Sequence, residues 1–281
     1  MKNVLILTDF SDKSWNSIEY ALGLFQNTQC TFHLLHAGKR NENEVENEIY
    51  DQFQMVKVFN KRDTKRAFDV LLQKLKTLSL KGNHKFVSVL DNNNIVEAAR
   101  NQIKNNKIDL IVIGADDMTL KGKINKNSIS EDVITKVKCS VLVVPEEARF
   151  TGLFQIGVPT DFTNFYEAKL LQDLTNRGSY SNSALRFLYL SKENDKLNKE
   201  QSWNKETLHD YYINKEHSFH SEVNPNLEIS MQKFIEEKKI DIVVLAAKNL
   251  NLFEQILFRP KTERLDYYSK TPFLALHQSN F

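Results

Sequence analysis

Glycine is scarce in this chain. Its 281 residues include 8, where an average usage near 7% would give about 20. The last is Gly178, so the final 103 residues contain none. A phosphate cradle built from glycines is thereby excluded from most of the second half. Cysteine is scarcer still. Cys30 and Cys139 form neither a CxxC nor a metal-spaced pair, and a reduced, cytoplasmic protein is expected. No apolar run approaches the ~18 residues of a membrane span. The opening MKNVLILTDFSD has neither the apolar length nor the cleavage site of a signal peptide. Charge of one sign is lacking too, with 38 Lys+Arg against 36 Asp+Glu. Residues 1–145 hold 21 basic and 17 acidic side chains, and the remainder is slightly acidic. Without a polybasic arm, no nucleic-acid partner is expected, and without an apolar span, no membrane. No GxSxG elbow, HExxH or Walker lysine motif occurs.

What the chain does have is a repeat. Thr8-Asp9-Phe10 returns as Thr160-Asp161-Phe162, each after a short apolar run. Lys107–Val112 (KIDLIV) returns 132 residues later as Lys239–Val244 (KIDIVV). The same offset sets Ser140–Val143 against Pro272–Ala275 and extends back without gaps to Phe86–Asn105 and Ser218–Glu237. The first copy is 20 residues longer in its middle, and the polar stretch 38–62 is the natural place for the surplus. Matches in one order with one length difference indicate duplication. Two domains, 1–147 and 148–281, are expected, joined near Glu146–Phe150.

Apolar runs rich in Val, Ile and Leu at 3–8, 30–36, 86–90, 109–114 and 140–145 predict strands. Between them, segments 12–26, 63–80, 93–105 and 128–137 have helical periodicity. Ser11 or Asp12 is placed to cap the first helix, and the run 92–94 precedes the third. The second half repeats the alternation, with strands near 153–158, 184–190, 217–223, 241–247 and 272–277. Its helices fall near 162–176, 200–213, 226–238 and 261–270. Pro159 and Pro272 are expected at strand edges. Alternating elements with continuous apolar strands specify α/β units, each with an open five-stranded parallel sheet covered on both faces. Stretch 38–62 reads as a mobile excursion with a short helix, where a partner could also dock.

Such sheets bind ligands beyond the carboxyl ends of their strands, where strand order reverses. Two loops meet there in the first copy. One holds Thr8, Asp9 and Phe10. The other begins at Ile113-Gly114 and runs to Ser128-Ile129-Ser130 at a helix start, where free N–H groups attract anions.

The order strand–TDF–helix, then a glycine at 114, a hydroxyl at 128 and the strand VLVV, resembles the universal stress protein family. The likeness covers both copies. It implies a Rossmann-like fold of the adenine nucleotide alpha hydrolase type, and some members bind ATP through a GxxG–nine residues–G(S/T) motif. It also implies pairing through last strands, so VLVVP (141–145) and FLALH (273–277) would join inside one chain as a pseudo-dimer. A homodimer and unidentified protein partners stay open.

Carried over residue by residue, the resemblance assigns Thr8 and Asp9 to the nucleotide site of domain 1. It adds Ile113 and Gly114 at the first glycine. The second and third glycine slots hold Asp117 and Asn127, while Ser128 keeps the hydroxyl and Ile129 and Ser130 continue the helix. A carboxylate ~4 Å from a phosphate charge opposes binding by about 4 kcal/mol at an effective dielectric near 20. Mg²⁺ or Lys121, Lys123 and Lys126 could offset this. In the second copy Gly114 becomes Ala246, Asp117 becomes Asn249, Asn127 becomes Arg259 and Ser128 becomes Pro260. No cofactor is expected there. ATP or AMP with Mg²⁺ in domain 1 is the implied ligand, if there is one.

The plainer readings stand beside these. An Asp after a parallel strand also caps the following turn, and Asp116-Asp117 also reads as a solvated loop. His33 and His36, like His217 and His220, are three apart on strands and face opposite ways. No zinc site and no catalytic set follow. The leading expectation is a non-enzymatic stress-response binding or signalling protein. The alternative is an adenine-nucleotide binder using domain 1 alone, with slow hydrolysis as a variant. An adenylating enzyme would need a glycine loop after the first strand, where TDFSDKS stands.

Overall fold

The computed structural model describes residues 1–38, 50–51, 54–55, 61–78, 82–115, 129–163, 182–191, 196–224, 226–246 and 270–277. In the first half, strands β1 (Lys2–Leu7), β2 (Cys30–Ala37), β5 (Lys85–Asp91), β6 (Leu110–Gly114) and β7 (Val141–Val144) alternate with helices. These are α1 (Asp12–Leu24), α2 (Lys61–Lys76), α3 (Ile95–Asn106) and α4 (Ile129–Lys136). Strands β3 (Tyr50–Asp51) and β4 (Gln54–Met55) form a two-stranded antiparallel pair of their own. The short helix expected in 38–62 falls on residues that lie mostly outside the described ones.

The second half places β8 (Gln155–Thr160), β9 (Ala184–Ser191), β10 (His217–Val223), β11 (Ile242–Ala246) and β12 (Phe273–Leu276). Its described helices are α5 (Lys199–Tyr211) and α6 (Leu227–Lys238). The helices expected at 162–176 and 261–270 fall almost wholly outside the described residues. One expectation is corrected: Pro159 lies inside β8, paired with Leu188 of β9. It is tolerated because β11 pairs with β8 at Ile156 and Gly157, leaving the position of the missing N–H beyond that ladder.

Ten strands form one sheet in the order β10-β9-β8-β11-β12-β7-β6-β1-β2-β5. Read outward from the middle, each half runs fifth, fourth, first, second, third strand. The halves thus share one topology, as duplication requires. They join through β12 and β7, the sheet's one antiparallel contact, with Phe273 opposite Val143, Leu274 opposite Leu142 and Ala275 opposite Val141. The tandem α/β architecture is therefore a pseudo-dimer sharing a sheet.

Helices cover both faces. On one, Val4, Ile6, Phe32 and Leu34 pack with α1 and α2, and the layer continues across the seam to Ile156, Val158 and Phe187. On the other, Leu5, Leu35 and Ile111 pack with α3 and α4, and this layer runs on to Leu188, Phe234 and Val243. Helix starts follow local chemistry. Ser11 caps α1, and Asn94 caps α3 through Glu97 N at 3.0 Å. Asn198 and Gln201 cap each other's backbone at α5.

The segment between the halves is pinned. Buried Asn16 of α1 donates to the carbonyls of Pro145 (2.8 Å) and Ala148 (3.1 Å). Its own oxygen accepts from Arg149 at 2.6 Å. Tyr20 meets Phe150 edge to face, centroids 5.5 Å apart.

Candidate functional site

In each half the order of strands reverses between the first and fourth strands. β1 lies beside β6, with Ile6 opposite Val112, and β8 beside β11, with Ile156 opposite Ile242. The carboxyl ends of these strands bring Thr8, Asp9, Ile113 and Gly114 to one edge. Ile129 and Ser130 open α4, which packs on α3 and β7. Asp117, Asn127 and Ser128 lie outside the described residues, as do Asn249, Arg259 and Pro260 of the second copy.

The TDF segment is a fixed turn. Phe10 N–H donates to Thr8 Oγ1 at 3.0 Å, and Asp9 Oδ1 accepts from Ser11 N (3.0 Å) and Ser11 Oγ (2.5 Å). Phe10 takes the left-handed conformation, φ 64°. The second half rebuilds the turn bond for bond. Phe162 N–H donates to Thr160 Oγ1 at 3.0 Å, and Asp161 Oδ1 accepts from Thr163 N (2.9 Å) and Oγ1 (2.7 Å). Phe162 has φ 56°. Sequence patterning did not show that the aromatic residue would hold a backbone region that favours glycine.

Thr8 is buried and anchored further. Its N–H donates to Leu35 O at 2.9 Å, and its hydroxyl lies 3.0 Å from Ser14 Oγ. His36 Nδ1 donates to its carbonyl at 2.8 Å. The His36 ring then packs at a tilt against Phe10, centroids 4.8 Å apart and planes at 31°. Gly114 serves close packing: a Cβ there would sit 3.2 Å from the Lys13 carbonyl oxygen and 3.7 Å from Ser14 N. The space a side chain would take is thus filled by the first turn of α1. Asp9 is exposed at the crevice. The described part of the proposed nucleotide site is therefore built as a turn and a helix contact, with one carboxylate at the surface.

The KID repeat has a structural task at the other end of the strands. Asp109 Oδ2 accepts from Asn3 N at 2.7 Å. Asp241 Oδ2 accepts from Phe154 N (2.7 Å) and Gln155 N (2.8 Å). The lysines before them, Lys107 and Lys239, both end helices in the left-handed conformation.

A groove of about 420 Å³ opens beside the crevice, between the first turn of α1 and one face of α2. Phe10, Trp15, Val70 and Leu71 line it, with Asp63, Arg66 and Lys74 also on its walls. Lys74 Nζ lies 3.6 Å above the Trp15 ring, a cation–π contact. Of the residues assigned from sequence, the groove includes Thr8 but none of Asp9, Ile113, Gly114, Ile129 or Ser130. Nothing in the sequence pattern distinguished its lining from ordinary helix-packing residues.

The cysteines are buried thiols. Burial, with the Asp109 carboxylate adding to it, pushes Cys139 up to about 12. Burial, partly offset by Lys2, pushes Cys30 up to about 11. Neither carries the thiolate that redox chemistry uses.

Two tandem α/β units with reversed-order crevices, fused through their last strands, define the class of protein. The profile of the Universal stress protein family matches residues 1–145. The chain belongs to that family. No curated protein matches it. Among solved structures, it is similar to a universal stress protein from Archaeoglobus fulgidus DSM 4304, with a TM-score of 0.65 at 15% identity, covering 99% of this chain and 97% of that one. A functionally unknown protein from Pseudomonas aeruginosa PAO1 gives 0.56 at 10% identity, covering 98% and 92%. At such identities the likeness is one of fold. It spans both halves. No helix among the described residues is long and apolar enough to cross a membrane.

Proposed function

We propose that this protein is a non-enzymatic stress-response module that acts through binding and partner contact, in the cytoplasm, with domains at 1–147 and 148–281. One observation carries the reading. The Thr-Asp-Phe turn has the same hydrogen bonds in both halves, although the second half has Ala246, Arg259 and Pro260 where a nucleotide cradle needs glycine and a hydroxyl. A turn kept in a half whose sequence lacks the cradle's glycine and hydroxyl is explained by the fold. Gly114 is likewise explained by the approach of α1. No reaction step is assigned to either crevice.

A second reading rests on the exposure of Asp9 at the edge of the first crevice. There domain 1 alone holds ATP or AMP, with Thr8, Asp9 and Ser128 as contacts and Mg²⁺ balancing Asp117. Mass spectrometry of protein purified without added nucleotide, followed by equilibrium titration with Mg-ATP, separates the two. The first reading expects no co-purified nucleotide and no binding at millimolar ATP. Binding lost on Asp9→Ala or Ser128→Ala, but kept on Asp161→Ala, would replace it with the second.

A further inference from the structure

The outer edge of the first half carries a strand whose pattern matches itself when reversed. β5 has the sequence KFVSVLD. It ends the sheet and pairs, among the described residues, with β2 alone. The Asp91 carbonyl accepts from Gly38 N at 3.1 Å, on the β2 side. Peptide groups alternate sides along a strand, so Lys85, Val87 and Val89 also bond toward β2. The N–H and C=O groups of Phe86, Ser88 and Leu90 therefore point away from the sheet. Natural edges are commonly blunted by proline, bulges or charges. β5 has no proline and no glycine, and its charges stand at its two ends. Val87 is 41% exposed and Leu90 44%. The other outer strand, β10, is guarded: Lys233 holds its Glu222 at 3.0 Å, and Lys205 Nζ lies 5.4 Å from its Phe219 ring.

A second β5 laid antiparallel about Ser88 completes this ladder. Ser88 then faces Ser88, and Phe86 faces Leu90. Their outward backbone groups exchange N–H···O bonds. Val87 faces Val89 and Lys85 faces Asp91, at the positions where opposed Cα atoms come closest, about 4.5 Å. Apolar pairs thus form on both faces, since Phe86 belongs to one apolar layer and Val89 to the other. Opposite charges meet at both ends. A slip of two residues either way keeps the hydrogen bonds but sets Lys85 against Val89 or Asp91 against Val87, so the charges select the register. Both charges have room for a partner. Lys85 has no ionic partner among the described residues. Asp91 Oδ1 accepts from Asn93 N (2.9 Å) and Nδ2 (2.7 Å), while Oδ2 is left with the Asn101 amide at 3.5 Å. β10, the equivalent strand of the second half, reads HSFHSEV. Reversed on itself it sets His217 against Val223 and Ser218 against Glu222, so the self-match belongs to β5.

We propose that β5 is the pairing edge of a homodimer, in which two copies join antiparallel and Lys85 of each meets Asp91 of the other. Their sheets then run on as one, as the two halves already do through β12 and β7. The contact is isologous and uses up the open edge of each copy, so assembly stops at two. It is independent of what either crevice binds.

Sedimentation equilibrium of the full chain over a concentration series should show monomer and dimer, with the dimer weakened by salt. Ser88→Pro removes the central outward N–H and leaves the bonds to β2, a place where a strand tolerates proline. Val87→Lys puts a charge on the exposed edge. Both variants should keep the parent circular dichroism spectrum and sediment as monomers. Lys85→Glu sets like charges opposite each other at both ends and should weaken the dimer roughly tenfold, whereas Lys85→Arg should not. Carbodiimide coupling, which joins an amine only to a carboxylate in contact with it, should link Lys85 to Asp91. Within one chain these residues are about 20 Å apart along the strand, so that link forms only between copies. A parent chain that stays monomeric would overturn the proposal and leave the edge to a different protein's strand. A dimer that survives Val87→Lys, or one that lacks the link between 85 and 91, would overturn it by placing the contact elsewhere.

Discussion

Leu274 of β12 lies opposite Leu142 of β7 across the seam between the halves, and both side chains enter one apolar layer with α1. The chain therefore makes internally the last-strand contact that the resemblance implied. Because the apolar layers continue through this seam, the halves should unfold as one unit. Leu274→Ala removes a 5%-exposed side chain, at a cost of about 2–5 kcal/mol. Urea denaturation followed by circular dichroism should show a single transition moved to lower midpoint. Two transitions, with the first half's unmoved, would mean that the seam does not couple the domains.

The two turns invite a paired substitution. Phe10 and Phe162 share a left-handed backbone, which burdens a non-glycine residue by roughly 1–2 kcal/mol. Glycine would relieve that strain and forfeit the packing. Phe162 is 1% exposed and stacks on Tyr189 at 5.8 Å; burial of that kind is worth about 3–5 kcal/mol. Packing wins there, so Phe162→Gly should destabilise by about 2 kcal/mol, the difference between those two effects. Phe10 is only partly buried, and Phe10→Gly should come closer to neutral. Thermal melts of the two variants check the ranking. Equal losses would mean that burial does not separate the two turns.

The sheet was legible because buried parallel strands leave uninterrupted Val, Ile and Leu runs, and because the KID and TDF repeats recur in order. Asp109 and Asp241 were visible as a repeat, yet their task at the strand starts was not, since it depends on backbone amides some 90 to 110 residues away. The Asn16 clasp on Pro145 and Ala148 left no signal either, because one asparagine on a helix has no periodicity. The same holds for the ring–ring hydrogen bond of His209 and His217, on different elements eight residues apart. Pro159 misled because the rule for proline concerns an unpaired N–H, and that condition arises inside β8 where β11 falls short. Asp9 and Gly114 were found by motif. Their local bonds to Ser11 and α1 required coordinates.

His33 offers a test of buried polarity. It is 7% exposed on β2, in register with Leu5 and Val87, and neither ring nitrogen has a hydrogen-bond partner among the described residues. Burial lowers its pKa from the ordinary 6.5. The unfolded chain therefore takes up a proton near 6.5 that the folded chain refuses. The stability held by the neutral ring is present above that pH and lost as pH falls through it. His277 shifts the same way, also through burial, partly offset by its bond to the Ile134 carbonyl. Leucine has a similar volume and no polar atoms to desolvate. His33→Leu should raise stability by about 1 kcal/mol at pH 7.5, where an unsatisfied buried group is penalised. The advantage should widen at pH 5, where the parent protein must keep a ring neutral against protonation. Melting temperatures of both proteins at the two pH values decide it. A lower midpoint for His33→Leu at pH 7.5 would show that bound water satisfies those nitrogens.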